Sequence, residues 1–542
     1  MSDALPLDCN VQAPPGYVVA LDHVVTRADA NLPLEDEKDN LETLLSNLGQ
    51  LAGVFRGDDV YSLLRQGESA LLAGALGRSL VESAAAEHWY ASRAETEEPR
   101  TATLALEREN IAQSIIESGL CVPNVARWNN PLADTRYADA AAGPALPNLQ
   151  SALSSKAPST VERITALPAP VTDVLSMCSH VNYAATWLTV APQPTELGVR
   201  PSRIFAAVLA QSSGLSLASL RGFNYEPVVL DLVATATAVH DLDVLPRLGR
   251  EKLVQDMSPS RSASSTASWL EKEPPFLFEV LLEGLRDKAE RVWHLANEAP
   301  NPFGGSGSET NLTTALPYLT ARGLLMLTLR STYGDCSPLM APTGARMLLE
   351  QGSELSWRSA DPSDEELLAR YVAVMDDATD RKKALEQKLL TRTSSTWAVE
   401  DLLYPLGRSD FAVDTRRTPT NEIRSRPPSP KIHLSALALG VAEPNWGDLA
   451  YKLLTQAAHA TPLGLLHSVA RLDPKTGNPA LSHEMTALSI DTACIGAALT
   501  FQSLAPLIAL QAGLPSPREW LKELFEAVSE VHRDAQLIHF LG

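Results

Sequence analysis

The side chains best equipped for chemistry stand together at Asp376-Asp377-Ala378-Thr379-Asp380. Asp376 and Asp380 are four apart, so on a helix both project from one face and offer hard oxygen ligands. The apolar approach runs from Leu367 to Met375. Arg381, Lys382 and Lys383 follow at once and can pair with the aspartates, so a solvated charged turn is the favoured reading. A second concentration of charge lies at residues 415–431, TRRTPTNEIRSRPPSPK, with Arg416, Arg417, Arg424, Arg426 and Lys431. Arginine forks suit phosphate oxygens, and they equally suit an acidic neighbouring subunit. The prolines stiffen this segment into an extended arm rather than a helix. The plain alternative is a solvated loop.

The aspartate run resembles the DDxxD motif of class I terpenoid synthases, all-helical enzymes in which such carboxylates hold magnesium against a diphosphate. The resemblance implies Asp376, Asp377 and Asp380 as metal ligands. It covers five residues. The family's second metal motif, an Asn or Asp followed four and eight positions on by Ser/Thr and Glu, is not found. An aromatic content of 6% is also thin for a cavity that steers carbocations. The expectation is therefore no catalytic residue, no metal and no cofactor, with the synthase, or a helical adaptor or effector protein, kept as the alternative.

Other candidates are weaker. His532-Arg533-Asp534 resembles a kinase catalytic loop, but His539 stands where the downstream Asn would fall and no glycine-rich phosphate loop precedes it. A structural helix surface is the expectation there. His459 and His467 are eight apart and His532 and His539 seven apart, not the four of a helical zinc site. Satisfied histidines are expected. Cys178 and His180 are close in sequence, yet nothing supplies the third group that would orient a nucleophilic pair, so Cys178 is assigned to the core. Gly304-Gly305-Ser306-Gly307-Ser308 lacks the Lys of a phosphate loop and reads as a plain loop.

The charge balance sets the wider bounds. With 65 acidic and 45 basic residues, the net charge of −20 argues against a broad, non-specific grip on nucleic acid. The five cysteines are far apart and show no metal or redox spacing, which suits a reducing compartment. The opening MSDALPLDCNVQAPP carries acids and prolines where a secretory leader needs a basic start and an apolar run. Residues 492–517 hold no charge and are long enough to cross a bilayer. Thr492, Thr500, Gln502, Ser503, Gln511 and Pro506 make a buried core helix the better expectation. No membrane partner is expected.

The elements are overwhelmingly helical. Leu41, Leu44, Leu45, Leu48 and Leu51 form one apolar stripe, continued by Val60, Leu63, Leu64, Leu71 and Leu72. Phe278, Leu281, Leu282, Leu285, Val292 and Leu295 form another, opened by Pro274-Pro275. Ser363 and Glu366 make a capping box. A last helix runs from Pro517 through Trp520, Leu521, Leu524, Phe525 and Val528 toward His539. Strand signals are confined to residues 17–21 and 228–230. The fold expected is mainly α: one large helical body with long proline-rich loops and a few short strands. Its regions are an N-terminal helical region (1–150), a central one (151–298), one carrying flexible loops and the basic arm (299–432), and a C-terminal one (433–542). Loops are expected at 141–160, 258–268 and 299–311, as excursions from one continuous fold.

In overall character (size, helicity and the lack of assembled chemistry) the chain resembles the capsid proteins of fungal and protozoal double-stranded RNA viruses. Those are large, mostly helical plates that tile a closed icosahedral shell. The resemblance implies a structural protein, not an enzyme, that self-assembles into a shell in the virion or host cytoplasm. Its main partner would be itself, with genomic RNA touched weakly. Arg416, Arg417, Arg424, Arg426 and Lys431 would then meet RNA or a neighbouring subunit.

Overall fold

The computed structural model describes residues 69–91, 98–117, 175–181, 276–298, 312–333, 339–359, 446–472, 479–512 and 518–541. It also describes scattered helical positions between 42 and 63 and positions 383, 384 and 387. The expected strands at 17–21 and 228–230, the capping box at Ser363 and the loops at 141–160, 258–268 and 299–311 lie outside the described residues.

The described part is mainly α, as its periodicity predicts. Helix α1 (Ala70–Ala91) starts behind Ser69, whose hydroxyl accepts from the Leu72 amide, so Leu71 and Leu72 open a fresh helix rather than continuing the first stripe. Helix α2 (Pro99–Glu117) places a proline in its first turn, where the missing N–H costs nothing. Its free amides at Arg100 and Thr101 are capped from a distance by the Glu42 carboxylate, at 3.0 Å each. Helices α3 (Phe276–Glu298), α4 (Leu312–Ser331) and α5 (Met340–Ser359) follow. Then come α6 (Trp446–Ala458) and the short α7 (Pro462–Ser468), which Thr461 caps with Pro462 in its first position.

A small antiparallel hairpin, β1 (Val469–Leu472) with β2 (Pro479–Leu481), separates α7 from the long α8 (His483–Ala512). This strand pair was not expected, although Pro474, Gly477 and Asn478 between two short apolar runs carry the composition of a turn. The chain ends in α9 (Arg518–Leu541), close to the expected bounds.

Helix α8 is the axis of the bundle. Apolar on every side, it meets the length and hydropathy needed to cross a membrane, yet 89% of that stretch is buried among the other helices. The uncharged run beginning at Thr492 is thus core through Ala505, apart from partly or fully exposed Gln502 and Ser503. Three of its buried hydroxyls bond back to their own helix: Thr486 to the Ser482 carbonyl, Ser489 to Met485 and Thr500 to Gly496.

The most extensive helix pairing is α5 against α8, and glycine makes it possible. A Cβ on Gly496 would lie 2.5 Å from the Leu348 carbonyl carbon and 2.6 Å from its oxygen. One on Gly352 would meet the Gly496 carbonyl and come within 2.9 Å of the Leu499 Cβ. Neither obstacle is a flexible side-chain tip, so the two backbones touch only because both positions lack a side chain. At the far end, Phe501 of α8 meets Tyr318 and Trp520 edge-on, with centroids 5.5 and 6.0 Å away. The Trp520 indole donates to the Leu295 carbonyl at 2.8 Å, tying α9 to α3. Tyr318, Phe501 and Trp520 thus meet where α3, α4, α8 and α9 converge.

Gly496→Ala and Gly352→Ala should each lower stability by about 1–3 kcal/mol or more through overpacking. Gly284→Ala, on α3 with open space around its Cβ, should instead be neutral or stabilising by up to about 1 kcal/mol. Urea denaturation of the three variants checks the contrast.

Candidate functional site

Charged side chains gather where the ends of α6 and of the helical turn at residues 175–179 meet α1 and α5. Each begins as an ordinary feature of local sequence. Arg78 and Glu82 are an i,i+4 pair on α1, and Arg346 and Glu350 are the same pair on α5. Such pairs usually face water. Here the fold turns both inward, leaving the Arg346 side chain 3% exposed. His180 and His459 stand just past helix ends, each followed by a residue in the left-handed region, Val181 at φ 45° and Ala460 at φ 47°.

These six groups form a closed circuit together with Tyr451. Arg78 donates to Glu82 at 2.7 Å and faces the His180 Nε2 at 3.0 Å. Glu82 binds the His459 Nδ1, and the His459 Nε2 lies 3.5 Å from the Arg346 Nη1. Arg346 Nη2 donates to Glu350 and to the Tyr451 hydroxyl, both at 3.2 Å, and lies 3.3 Å from the His180 Nδ1. That hydroxyl in turn donates to Glu350 at 2.5 Å. The Arg346 guanidinium also stacks 5.3 Å from the Tyr451 ring centroid. Arg78 is steadied by Ser179 and Ser176, at 2.6 and 3.3 Å.

The donor inventory assigns the protons. A guanidinium only donates, so the imidazole nitrogen facing it is the bare, accepting one. His180 meets a guanidinium at each nitrogen, Arg78 at Nε2 and Arg346 at Nδ1. Only its Nδ1 also faces a carboxylate, Glu350 at 3.3 Å, which places its proton there. His459 carries its proton on Nδ1 toward Glu82. Burial alone would raise the two carboxyls. For Glu82 the His459 hydrogen bond and Arg78 outweigh it, and for Glu350 the Arg346, His180 and Tyr451 contacts do, so each is held at about 2. Burial pulls the His459 imidazole below its ordinary range despite Glu82.

Arg56 stands behind the circuit, fully buried. It donates to the carbonyls of Ala457 and Ala458 at 3.1 and 2.9 Å and to the Ser83 hydroxyl at 2.8 Å. A cation thus closes the carbonyl end of α6, where the helix dipole is negative. Burial lowers its pKa to about 9, which leaves it charged at neutral pH.

A second buried pair joins α8 to α9. The His532 Nδ1 faces both carboxylate oxygens of Asp491, at 3.1 and 2.9 Å. This corrects the expectation that His-Arg-Asp is helix surface: Arg533 is exposed, but His532 points into the core and Asp534 pairs with Lys288 of α3. Cys178 is buried as expected, and burial pushes its thiol up, the reverse of what a nucleophile needs. His180 belongs to the circuit and not to a pair with Cys178.

The sequence-level site residues Asp376, Asp377, Asp380, Arg416, Arg417, Arg424, Arg426 and Lys431 lie outside the described residues. Among the described residues, no three His, Cys, Asp or Glu side chains gather as a metal-ligand set. Sequence reasoning missed Arg56, Arg78, Glu82, Arg346, Glu350 and Tyr451. The two i,i+4 spacings were visible, but nothing local marks such a pair as buried. No protein-family model matches the chain, nor does any curated protein or any solved structure.

Arg56→Met should cost about 3 kcal/mol, the scale for stranding buried carbonyls, as read by thermal unfolding. For His532, burial alone would lower the pKa, but Asp491 raises it above the ordinary value. Its contribution to stability is therefore complete below the unfolded pKa of about 6.5 and is lost as pH rises through the folded value. The stability gap between wild type and His532→Gln should shrink as pH is raised from about 6 to about 9.

Proposed function

We propose that this chain is a structural protein that assembles with copies of itself into a capsid or shell enclosing a double-stranded RNA genome. The observation that carries the structural reading is the direction of the charged chemistry. Arg56, the Arg78–Glu82–His459–Arg346–His180 circuit and the Asp491–His532 pair all join one helix to another. Such cross-linking suits a plate that must hold its shape under load from its neighbours. The acidic body with one short basic segment supports the rest: a surface that repels phosphate leaves enclosed nucleic acid free to move, and Arg416, Arg417, Arg424 and Arg426 provide a local contact.

Purified protein at modest salt should sediment as particles tens of nanometres across, visible by negative stain. A sharp monomer boundary at micromolar concentration across several salt and pH conditions would overturn the assembly reading. Replacing the four arginines by Ala should lower assembly yield or RNA content while leaving the subunit fold intact. Saturable magnesium-dependent release of diphosphate, lost in Asp376→Ala, would instead establish the synthase alternative.

A further inference from the structure

We propose that His180 and His459 form a proton-operated latch, which holds two helix ends against α5 while both imidazoles are neutral and releases them on protonation. Geometry carries this. Each imidazole lies between a carboxylate and a guanidinium: His180 between Glu350 and Arg78, with Arg346 also 3.3 Å from its Nδ1, and His459 between Glu82 and Arg346. Its second nitrogen therefore faces a group that can only donate. A proton added there sets N–H against N–H and cation against cation, and opposes the contact that closes the circuit.

Both histidines also sit at strained places. Val181 and Ala460 follow them directly in the left-handed region, and among the described residues no other non-glycine side chain has a positive φ. A β-branched residue there is held only by its surroundings. The turn at His180 is closed by the Val181 amide on the Cys178 carbonyl, and that at His459 by the Ala460 and Thr461 amides on Ala457 and Gln456. With the side chains released, each turn loses its histidine's contact and keeps only the burial of Val181 or the Arg56 and Ser79 bonds to the end of α6, so the histidine contacts and the backbone strain are opposed across the same residues.

The surrounding groups confine the titration to the imidazoles. Facing them are Arg78 and Glu82 from α1, Arg346 and Glu350 from α5, and Tyr451 from α6. Arg56, with Asp59 beside it, stands behind Glu82, and Glu107 of α2 accepts from the Leu463 amide just beyond. Glu82 and Glu350, held at about 2, stay ionised throughout mild acid. Burial pushes Glu107 up to about 8, despite its bonds from Leu463 and Thr461, so it stays protonated below neutrality. His459, with its lowered pKa, contributes stability above the unfolded value that is lost as pH falls through the folded one.

Amide hydrogen exchange of the full-length chain at about pH 5 and about pH 7, corrected for intrinsic rates, tests the latch. Protection at residues 180–181 and 459–461 should fall about tenfold or more in acid while that of α8 holds. In the double variant His180→Asn, His459→Asn, whose amide N–H replaces the Nδ1 proton, the acid response should vanish; in Glu107→Gln it should persist. Unchanged protection in wild type, or a full response in the double variant, would overturn the latch. Should the double variant fail to fold, the exchange of the imidazole carbon-bound hydrogen of His180 and His459 in wild type decides. Midpoints matching the loss of protection support the latch, and midpoints more than about one pH unit away sink it.

Discussion

The contact between α5 and α8 at Gly352 and Gly496 determines the rest of the architecture. Two helices whose backbones touch leave no room for adjustment, so their crossing sets where every other element can lie. Because Gly496 presses on the Leu348 carbonyl, the turn of α5 around it is fixed, and with it Arg346 and Glu350 on either side. The opposite side of α8 then presents Asp491 to His532 and Phe501 to Tyr318 and Trp520. One close approach thus places both the ionic circuit and the aromatic cluster.

Around that axis the described helices resolve an old difficulty of buried charge. Ions taken out of water are costly, and they are tolerated only when paired and hydrogen-bonded. The circuit meets most of this condition by alternating guanidinium, carboxylate and imidazole, and among the described residues leaves only the Glu350 Oε2 and Arg346 Nε of its atoms buried without a hydrogen-bond partner. The arrangement needs members from α1, α5, α6 and the turn at 175–179, so it forms only when all four are docked. It is better described as a check on correct docking of these helices than as a source of net stability.

The readable part of the fold was that governed by local rules. The apolar stripe of α3, the bounds of α9 and the burial of Cys178 follow from periodicity and composition. The uncharged stretch from Thr492 was legible as core because its threonines, glutamines and Pro506 suit a bilayer poorly. His532 was misread as surface because a His-Arg-Asp triplet on a helix does not reveal which of three consecutive faces meets a neighbour. The hairpin at β1 and β2 escaped because its strands are three or four residues long, too short to show alternation.

By itself, the sequence determined that this chain is mainly helical, acidic and apolar enough in one long helix to form a core. Those properties depend on residue type and on spacing within a turn or two, which a linear reading contains. Only the tertiary structure decided that Arg78–Glu82 and Arg346–Glu350 are interior, that Glu42 caps a helix more than fifty residues away, and that Arg56 closes the end of α6. The physical reason is desolvation. An i,i+4 ion pair has the same spacing in water and in a core, and its chemistry changes only when distant helices exclude the solvent around it.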